Sequence, residues 1–334
     1  MAADQLPLFK TPSSRRRKEP DGAAVGPAPV PHETTEIARQ LPRELYLGTS
    51  SWFFPGWRGL VWDRAAPETT LARHGLEVYS RHPLLKTVCI DRAFHAPLER
   101  AQYAAYAEQV PERFRFVVKA PSLCTTAWTR PEGGKPVGNP SFLDARVAIE
   151  TFVEPCCAGL GAKAGVLLFQ FPPVGRARLR EPGRFTERLH GFLDALPRGP
   201  LYAVELRDAA LLTRRFFAAL NESAVRYCVT VHPRMPAVAV QAAAMAGFGP
   251  GPLVVRWNLN PRYDYETAKA RYTPFDRLVD EDEATRESIA RLVIAPLAAG
   301  HAAFVIANNK AEGSAPLTLA KLAASIAAAR RIER

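Results

Sequence analysis

Read as a pattern of apolar and polar positions, the chain after Glu44 alternates short, nearly continuous apolar runs with longer stretches of helical period. The runs predict eight strands: Leu45–Thr49, Thr87–Asp91, Phe114–Lys119, Gly165–Phe171, Tyr202–Glu205, Arg226–Val231, Leu253–Trp257 and Ala302–Ala307. Their richness in Val, Ile, Leu and Phe, with little alternation, is what parallel strands covered on both faces need. Helix signals lie between them. Ser141 with Asp144 three residues later resembles a capping box ahead of a helix over Phe142–Leu160. Asp208 is placed to cap a helix over Ala209–Leu220, with Phe216, Phe217 and Leu220 as its inward stripe. Eight strand–helix units predict an α/β fold of the (β/α)8 TIM-barrel type. A doubly wound sheet is the competing topology, but no glycine-rich strand-to-helix fingerprint follows any strand.

Residues 1–43 follow no such pattern. They hold seven prolines, little apolar periodicity and the basic run Ser14-Arg15-Arg16-Arg17-Lys18, so they are expected to form a disordered tail ahead of a barrel domain over 44–334. No run of about 18 apolar residues suggests a membrane span, and the basic N-terminus lacks the apolar core of a secretory signal. The five cysteines form no C-x-x-C pair. Together these point to a cytoplasmic protein with reduced, buried thiols, no metal and no cofactor.

Charge adds a bias towards anions. The 334 residues carry 44 Lys+Arg against 33 Asp+Glu, a net +11, of which the tail holds only +2. Such a balance favours nucleic acid or phosphorylated metabolites as partners, although an Arg-rich composition alone also produces it.

Order within the chain then becomes recognisable. Leu47-Gly48-Thr49-Ser50-Ser51-Trp52, followed by Trp57 and Gly59, resembles the opening of the YecE-like barrel family of unknown function. Phe116-Val117-Val118-Lys119-Ala120-Pro121 resembles that family's third strand, and Leu168-Phe169-Gln170-Phe171-Pro172-Pro173 its fourth. Ala203-Val204-Glu205-Leu206-Arg207 is similar to the fifth, Val254-Val255-Arg256 to the seventh, and Asn308-Asn309 with Gly313 and Ala315-Pro316 to the eighth. The resemblance implies the barrel but supplies no reaction. Departures fall at the rim. Cys89, Asp91 and Phe94-His95 stand where the family has Glu, Asn and a Phe-Tyr pair; Asp208 and Trp257-Asn258 replace family His and His-Gly positions.

Barrel active sites lie at the C-terminal ends of the strands. Those ends carry Ser50, Ser51 and Trp52; Asp91; Lys119; Gln170; Glu205 and Arg207; His232; Arg256; and Asn308 and Asn309. Lys119, Arg207 and Arg256 are three cations able to converge on a phosphate or carboxylate. Glu205 and Asp91, with Lys119, are the candidate acid–base groups. Ser50, Gln170, His232, Asn308 and Asn309 would hydrogen-bond a ligand, and Trp52 and Trp257 would offer stacking faces. The bland alternative is a ring of ion pairs, such as Lys119 with Glu205 and Asp91 with Arg256. Only Asp91, Glu205 and His232 are metal-type ligands at strand ends, and the cations beside them would repel a divalent ion. No Walker loop, G-x-S-x-G elbow or H-E-x-x-H occurs. Two long rim loops, Pro121–Pro140 and Asn258–Asp282, mix basic and aromatic residues; the second carries Arg262, Tyr263, Tyr265, Lys269, Arg271 and Tyr272. That mixture suits a groove for a nucleic-acid strand or a lid over a small anion.

One motif lies in the tail. Gln5-Leu6-Pro7-Leu8-Phe9 resembles the Gln-Leu-x-Leu-Phe peptides by which bacterial proteins dock on the DNA polymerase sliding clamp, with Pro7 departing from the pattern. Gln5, Leu6, Leu8 and Phe9 would be the contacts. Two functions are therefore expected: a cationic rim binding a phosphate-bearing ligand, nucleic acid first, in DNA metabolism; or acid–base catalysis on a small phosphorylated or carboxylated sugar-like metabolite.

Overall fold

The structure, a computed structural model, describes residues 25–129, 134–175 and 180–332. Eight parallel strands close into a barrel: β1 (Leu45–Thr49), β2 (Leu85–Ile90), β3 (Arg115–Lys119), β6 (Ala164–Gln170), β7 (Tyr202–Glu205), β8 (Arg226–Val231), β9 (Leu253–Trp257) and β10 (Ala303–Ala307). The remaining pair, β4 (Trp128–Thr129) and β5 (Val137–Gly138), is a short antiparallel hairpin in the connection after β3. Each barrel strand pairs with its sequence neighbours, and β1 closes on β10.

Alternation along these strands sorts the residues between two cores. One cluster draws only on strand positions of one parity, including Cys89, Val117, Val166, Leu168, Ala203, Cys228, Val254, Phe304 and Ile306; this fills the barrel. The opposite parity, including Leu47, Val88, Phe116, Phe169, Val204, Val255 and Trp257, packs outward against helices in the larger core. Parity thus decides which residues beyond the strands face the mouth.

The predicted strands all form, with ends shifted by up to two residues. Two helix predictions need correction. The segment expected as one helix from Phe142 begins at Ala145, where Asp144 accepts from Val147 N at 3.0 Å, and passes through a π-helical turn at Ile149–Val153 before Glu154–Leu160. Asp208 does not cap a helix. It accepts from Val174 N at 2.8 Å and pairs with Arg234 at 3.3 Å, while Thr213 caps the helix Arg214–Glu222. Phe216, Phe217 and Leu220 are its buried stripe, as the pattern required.

The tail boundary also moves. Within the stretch expected to lack structure to residue 43, Pro27 bridges to Trp62 and His32–Gln40 forms a helix, α1. Val25, Ala28 and Leu41 are buried, and Arg330 and Arg331 of the last helix, α2 (Ala315–Ile332), bond to the Gln40 carbonyl (3.1 Å) and side chain (2.6 Å). A few apolar residues separated by prolines gave no period, yet each has a place on the barrel's outer surface. Gln5, Leu6, Leu8 and Phe9 lie outside the described residues. Among those described, no helix is long and apolar enough to cross a membrane.

Candidate functional site

At the C-terminal end of the barrel the inward parity switches from apolar to charged within one layer. Glu205, the last residue of β7, is fully buried at the centre of that layer. Its Oε2 accepts from Arg256 Nη1 at 2.6 Å, and its Oε1 meets Arg207 Nη1, Thr230 Oγ1 (3.0 Å) and Asn258 Nδ2 (3.0 Å). Thr230 is also held by Arg207 Nη1 at 3.0 Å and by Asn258 Nδ2 at 2.8 Å. Burial alone would raise the Glu205 carboxyl; Arg207 and Arg256 outweigh it and hold the group at about 2. Such a carboxylate stays ionised at neutral pH and is a poor proton acceptor. Glu205, read from the sequence as an acid–base group, is held here as the ion-pair partner of Arg207 and Arg256.

Asp91 lies at the other side of Arg256, 3.5 Å from Nη2, with 37% of its side chain exposed; it accepts from Cys89 Sγ at 3.2 Å. Lys119 closes β3 with its Nζ 3.6 Å from the centroid of the Phe94 ring. Among the described residues no carboxylate stands at ion-pair distance from Lys119, so the anticipated Lys119–Glu205 pair does not form, whereas the Asp91–Arg256 pair does. Burial pulls the Lys119 ammonium below its ordinary value; Asp91 opposes this and Arg256 adds to it. His232, half-buried, is held at about 4, by burial first and by Arg207 next, and its Nδ1 accepts from Arg234 N at 3.2 Å. The layer thus sets Lys119, Arg207 and Arg256 against Asp91 and Glu205, with Arg207 and Arg256 paired to Glu205 and Arg256 also to Asp91.

The remaining residues divide. Gln170 registers beside Glu205 on the neighbouring strand and is buried. Ser50 Oγ accepts from Asn308 Nδ2 at 2.7 Å, so the ends of β1 and β10 meet at the mouth. Asn309 points the other way: its Oδ1 accepts from Trp57 Nε1 (3.1 Å) and Ala315 N (2.9 Å), which fixes the start of α2 rather than a ligand. Trp52 and Trp257 are corrected as stacking faces. Trp52 is buried edge-on against Phe53 and Tyr106, and Trp257 is wholly buried on the outward parity of β9. Thr230 and Asn258 were not singled out as site residues, although both share the parity of Cys228 and Arg256 that places them inward.

The rim loops are more structured than expected. Asn258–Asp282 contains the helix Tyr265–Tyr272, capped by Asp264. Arg271 is engaged by Asp280 at 2.5 and 3.1 Å, and Tyr272 is buried against Tyr263, which leaves Arg262, Tyr265 and Lys269 exposed. Lys310 lies over Tyr265 at 4.3 Å. In Pro121–Pro140, Trp128 is 47% exposed on the β4–β5 hairpin, and Arg130 lies outside the described residues. Among the described residues no three His, Cys, Asp or Glu side chains gather as a metal would require.

Comparison with known proteins agrees with the barrel. The chain resembles a DUF72 family protein from Enterococcus faecalis V583 (17% identity, TM-score 0.58, covering 84% of this chain and 95% of that one). It also resembles a DUF72 family protein from Thermotoga maritima MSB8 (18% identity, TM-score 0.52, 87% and 99% covered). At these identities the likeness concerns the fold. No curated protein matches. A family model described as protein of unknown function DUF72 matches residues 46–333, a span that takes in every barrel strand but the first residue of β1 and the whole charged mouth. The eight-stranded barrel and the ordered motifs from Leu47 to Pro316 thus have one source: the chain belongs to the DUF72 family.

Proposed function

We propose that the mouth of the barrel binds a phosphate-bearing ligand, nucleic acid before others, and that the protein acts in DNA metabolism. The observation that supports this reading is Lys119. Arg207 and Arg256 already converge on Glu205 and Asp91, so Lys119 is the cation left for an incoming anion. Gln170, His232, Asn258 and Asn308, at the ends of other strands of the same mouth, add neutral hydrogen-bonding groups. Arg256 is 3% exposed and Glu205 not at all, so the paired charges at the centre are recessed. A duplex backbone lying across the rim would not reach them; a strand end or an extruded nucleotide would. Binding of labelled single-stranded DNA should exceed that of blunt duplex and weaken as salt rises, by counterion release. Lys119→Ala should weaken it about tenfold, while Arg291→Ala, on an outer helix and paired with Glu287, should not. Absence of binding at low salt would end the proposal. The peptide Gln5–Phe9 belongs to the same reading as a sliding-clamp anchor, which a peptide of residues 1–12 tests directly against purified clamp.

A second reading, acid–base catalysis on a small phosphorylated or carboxylated sugar-like metabolite, is favoured by the same recess. Glu205 being fixed as an anion, the proton-transfer role falls to Asp91, with Lys119 and His232 beside the ligand. Thermal-shift screening separates the two, since a metabolite at 100 times its Kd adds about 2.7 kcal/mol of stability.

A further inference from the structure

At the opposite end of the barrel, where the strands begin, a cavity of about 640 Å³ opens between the starts of β1, β2 and β3. That end of a barrel ordinarily serves stability alone. Its lining here is chemically one-sided. Arg43 and Glu44 precede β1, Arg81 and His82 precede β2, Lys86 lies on β2, and Arg113 and Arg115 stand at the start of β3. Five cations thus face one carboxylate.

Two of the five are occupied. Arg81 pairs with Glu77 one turn back on its helix, and Arg115 donates Nη1 to the carbonyls of Glu112 (2.8 Å) and Phe114 (3.0 Å). Arg43, Lys86 and Arg113 have no carboxylate at ion-pair distance among the described residues. Gathering like charges in a concavity is unfavourable, and the walls concentrate their field. Lys86 registers that environment: burial pulls its ammonium below the ordinary value, Glu44 opposes the shift, and the Arg113 charge deepens it. Beside these cations the wall is aromatic: Tyr46, which lines the cavity, stacks on Phe304 at 4.6 Å.

We infer that this end of the barrel is a second anion site, independent of the mouth, which binds a compact oligophosphate through Arg43, Lys86 and Arg113. The volume lies within the range of small-ligand pockets and is far too small for a duplex. Three free cations match the two to four charges of a diphosphate, and the two arginines supply forked donors for its oxygens. Inorganic pyrophosphate and the diphosphate of a nucleotide share that chemistry. Tyr46 would distinguish them only if the nucleoside reaches the aromatic wall.

Titration calorimetry on the full chain at low salt, with inorganic pyrophosphate and with ADP as probes, tests this. The wild type should bind pyrophosphate, and Lys86→Gln with Arg113→Gln should weaken it at least tenfold. Arg291→Gln, on an outer helix away from both sites, should leave it unchanged. Tighter binding of ADP than of pyrophosphate, reduced by Tyr46→Ala, would assign a nucleotide; equal binding would assign the diphosphate alone. Arg43 and Arg113 are exposed, so their replacement should not prevent folding. Without ligand, Arg113→Gln should unfold at the same temperature as wild type or higher, because it removes repulsion from Lys86. Pyrophosphate binding that survives the double substitution, that is lost in Arg291→Gln, or that is absent at millimolar concentration would overturn the inference.

Discussion

Glu205 shows why a residue type at a strand end does not by itself assign a role. From sequence it reads as a catalytic carboxylate; in place, two arginines, a threonine and an asparagine make it the most constrained group of the mouth. Removing its charge should therefore act on stability first. Glu205→Gln leaves Arg207 and Arg256 buried without their counter-charge and should cost about 3 kcal/mol at pH 6. The folded carboxyl titrates at about 2 against an ordinary 4.5, so its contribution is complete above pH 4.5 and is lost as pH falls towards 2. Urea unfolding at several pH values should show the gap between wild type and variant closing across that window. A gap that stays constant with pH would separate the loss from the carboxylate's charge. His232 follows the same direction by a different route: its folded value near 4 lies below the ordinary 6.5, so protonation of the unfolded chain destabilises the fold as pH drops from 6.5 to 4. Its ring signals in a proton NMR titration should move with a midpoint near 4.

Among the barrel strands, β1 carries the tightest steric requirement. Its register shifts against β2 between Leu47 and Gly48, and a Cβ on Gly48 would lie 1.9 Å from the Thr87 carbonyl oxygen. Because that neighbour is backbone, the strands would have to separate. Gly48→Ala should cost about 3 kcal/mol, read as a lower urea midpoint, and a variant as stable as wild type would show the close approach to be unnecessary. This gives a physical reason for the Leu47-Gly48-Thr49 motif. The strands were legible because continuous apolar runs of five or six residues have few other uses in a chain with this many helix signals. The inside and outside of the barrel were legible too, but only through parity: once Arg256 is inward, Trp257 must face the helices, and once Asn308 is inward, Asn309 must face Trp57. Treating all residues near a strand end as one ring is what misassigned Trp257 and Asn309; Trp52 shares the parity of Ser50, but the loop after β1 turns it into packing against Phe53 and Tyr106. The helix α1 was not legible, since it is held by hydrogen bonds from α2, almost 300 residues away, rather than by a buried stripe of local period. Deleting residues 1–24 should leave the melting temperature unchanged, whereas deleting 1–43 should lower it by several degrees through loss of Val25, Ala28 and Leu41.

Over the whole molecule, the place where the N-terminal segment joins the barrel sets the geometry of any clamp-bound assembly. Packing of Val25 and Ala28 against the barrel, with Ala28 N donating to the Val61 carbonyl at 3.0 Å, makes Val25 rather than residue 43 the fixed point nearest residues 5–9 among the described residues. Between Phe9 and Val25 lie sixteen residue steps, which span at most about 55 Å when fully extended. A clamp-docked peptide would thus keep Val25, and the barrel with it, within that distance of the docking pocket, a shorter tether than an anchor point at residue 43 would allow. Under the reading of the mouth as a nucleic-acid site, the two weak contacts should reinforce each other through effective concentration. Clamp loaded on DNA with a single-stranded end should then bind the full chain at least tenfold more tightly than either clamp or DNA alone. Leu8→Ala with Phe9→Ala should abolish the gain while leaving DNA binding intact, and Lys119→Ala should abolish it while leaving clamp binding intact. Inserting 40 Gly/Ser residues after Thr11 should reduce the gain several-fold, because effective concentration falls roughly as the −3/2 power of linker length. A gain that survives both the double substitution and the insertion would show that the barrel itself, not residues 5–9, touches the clamp.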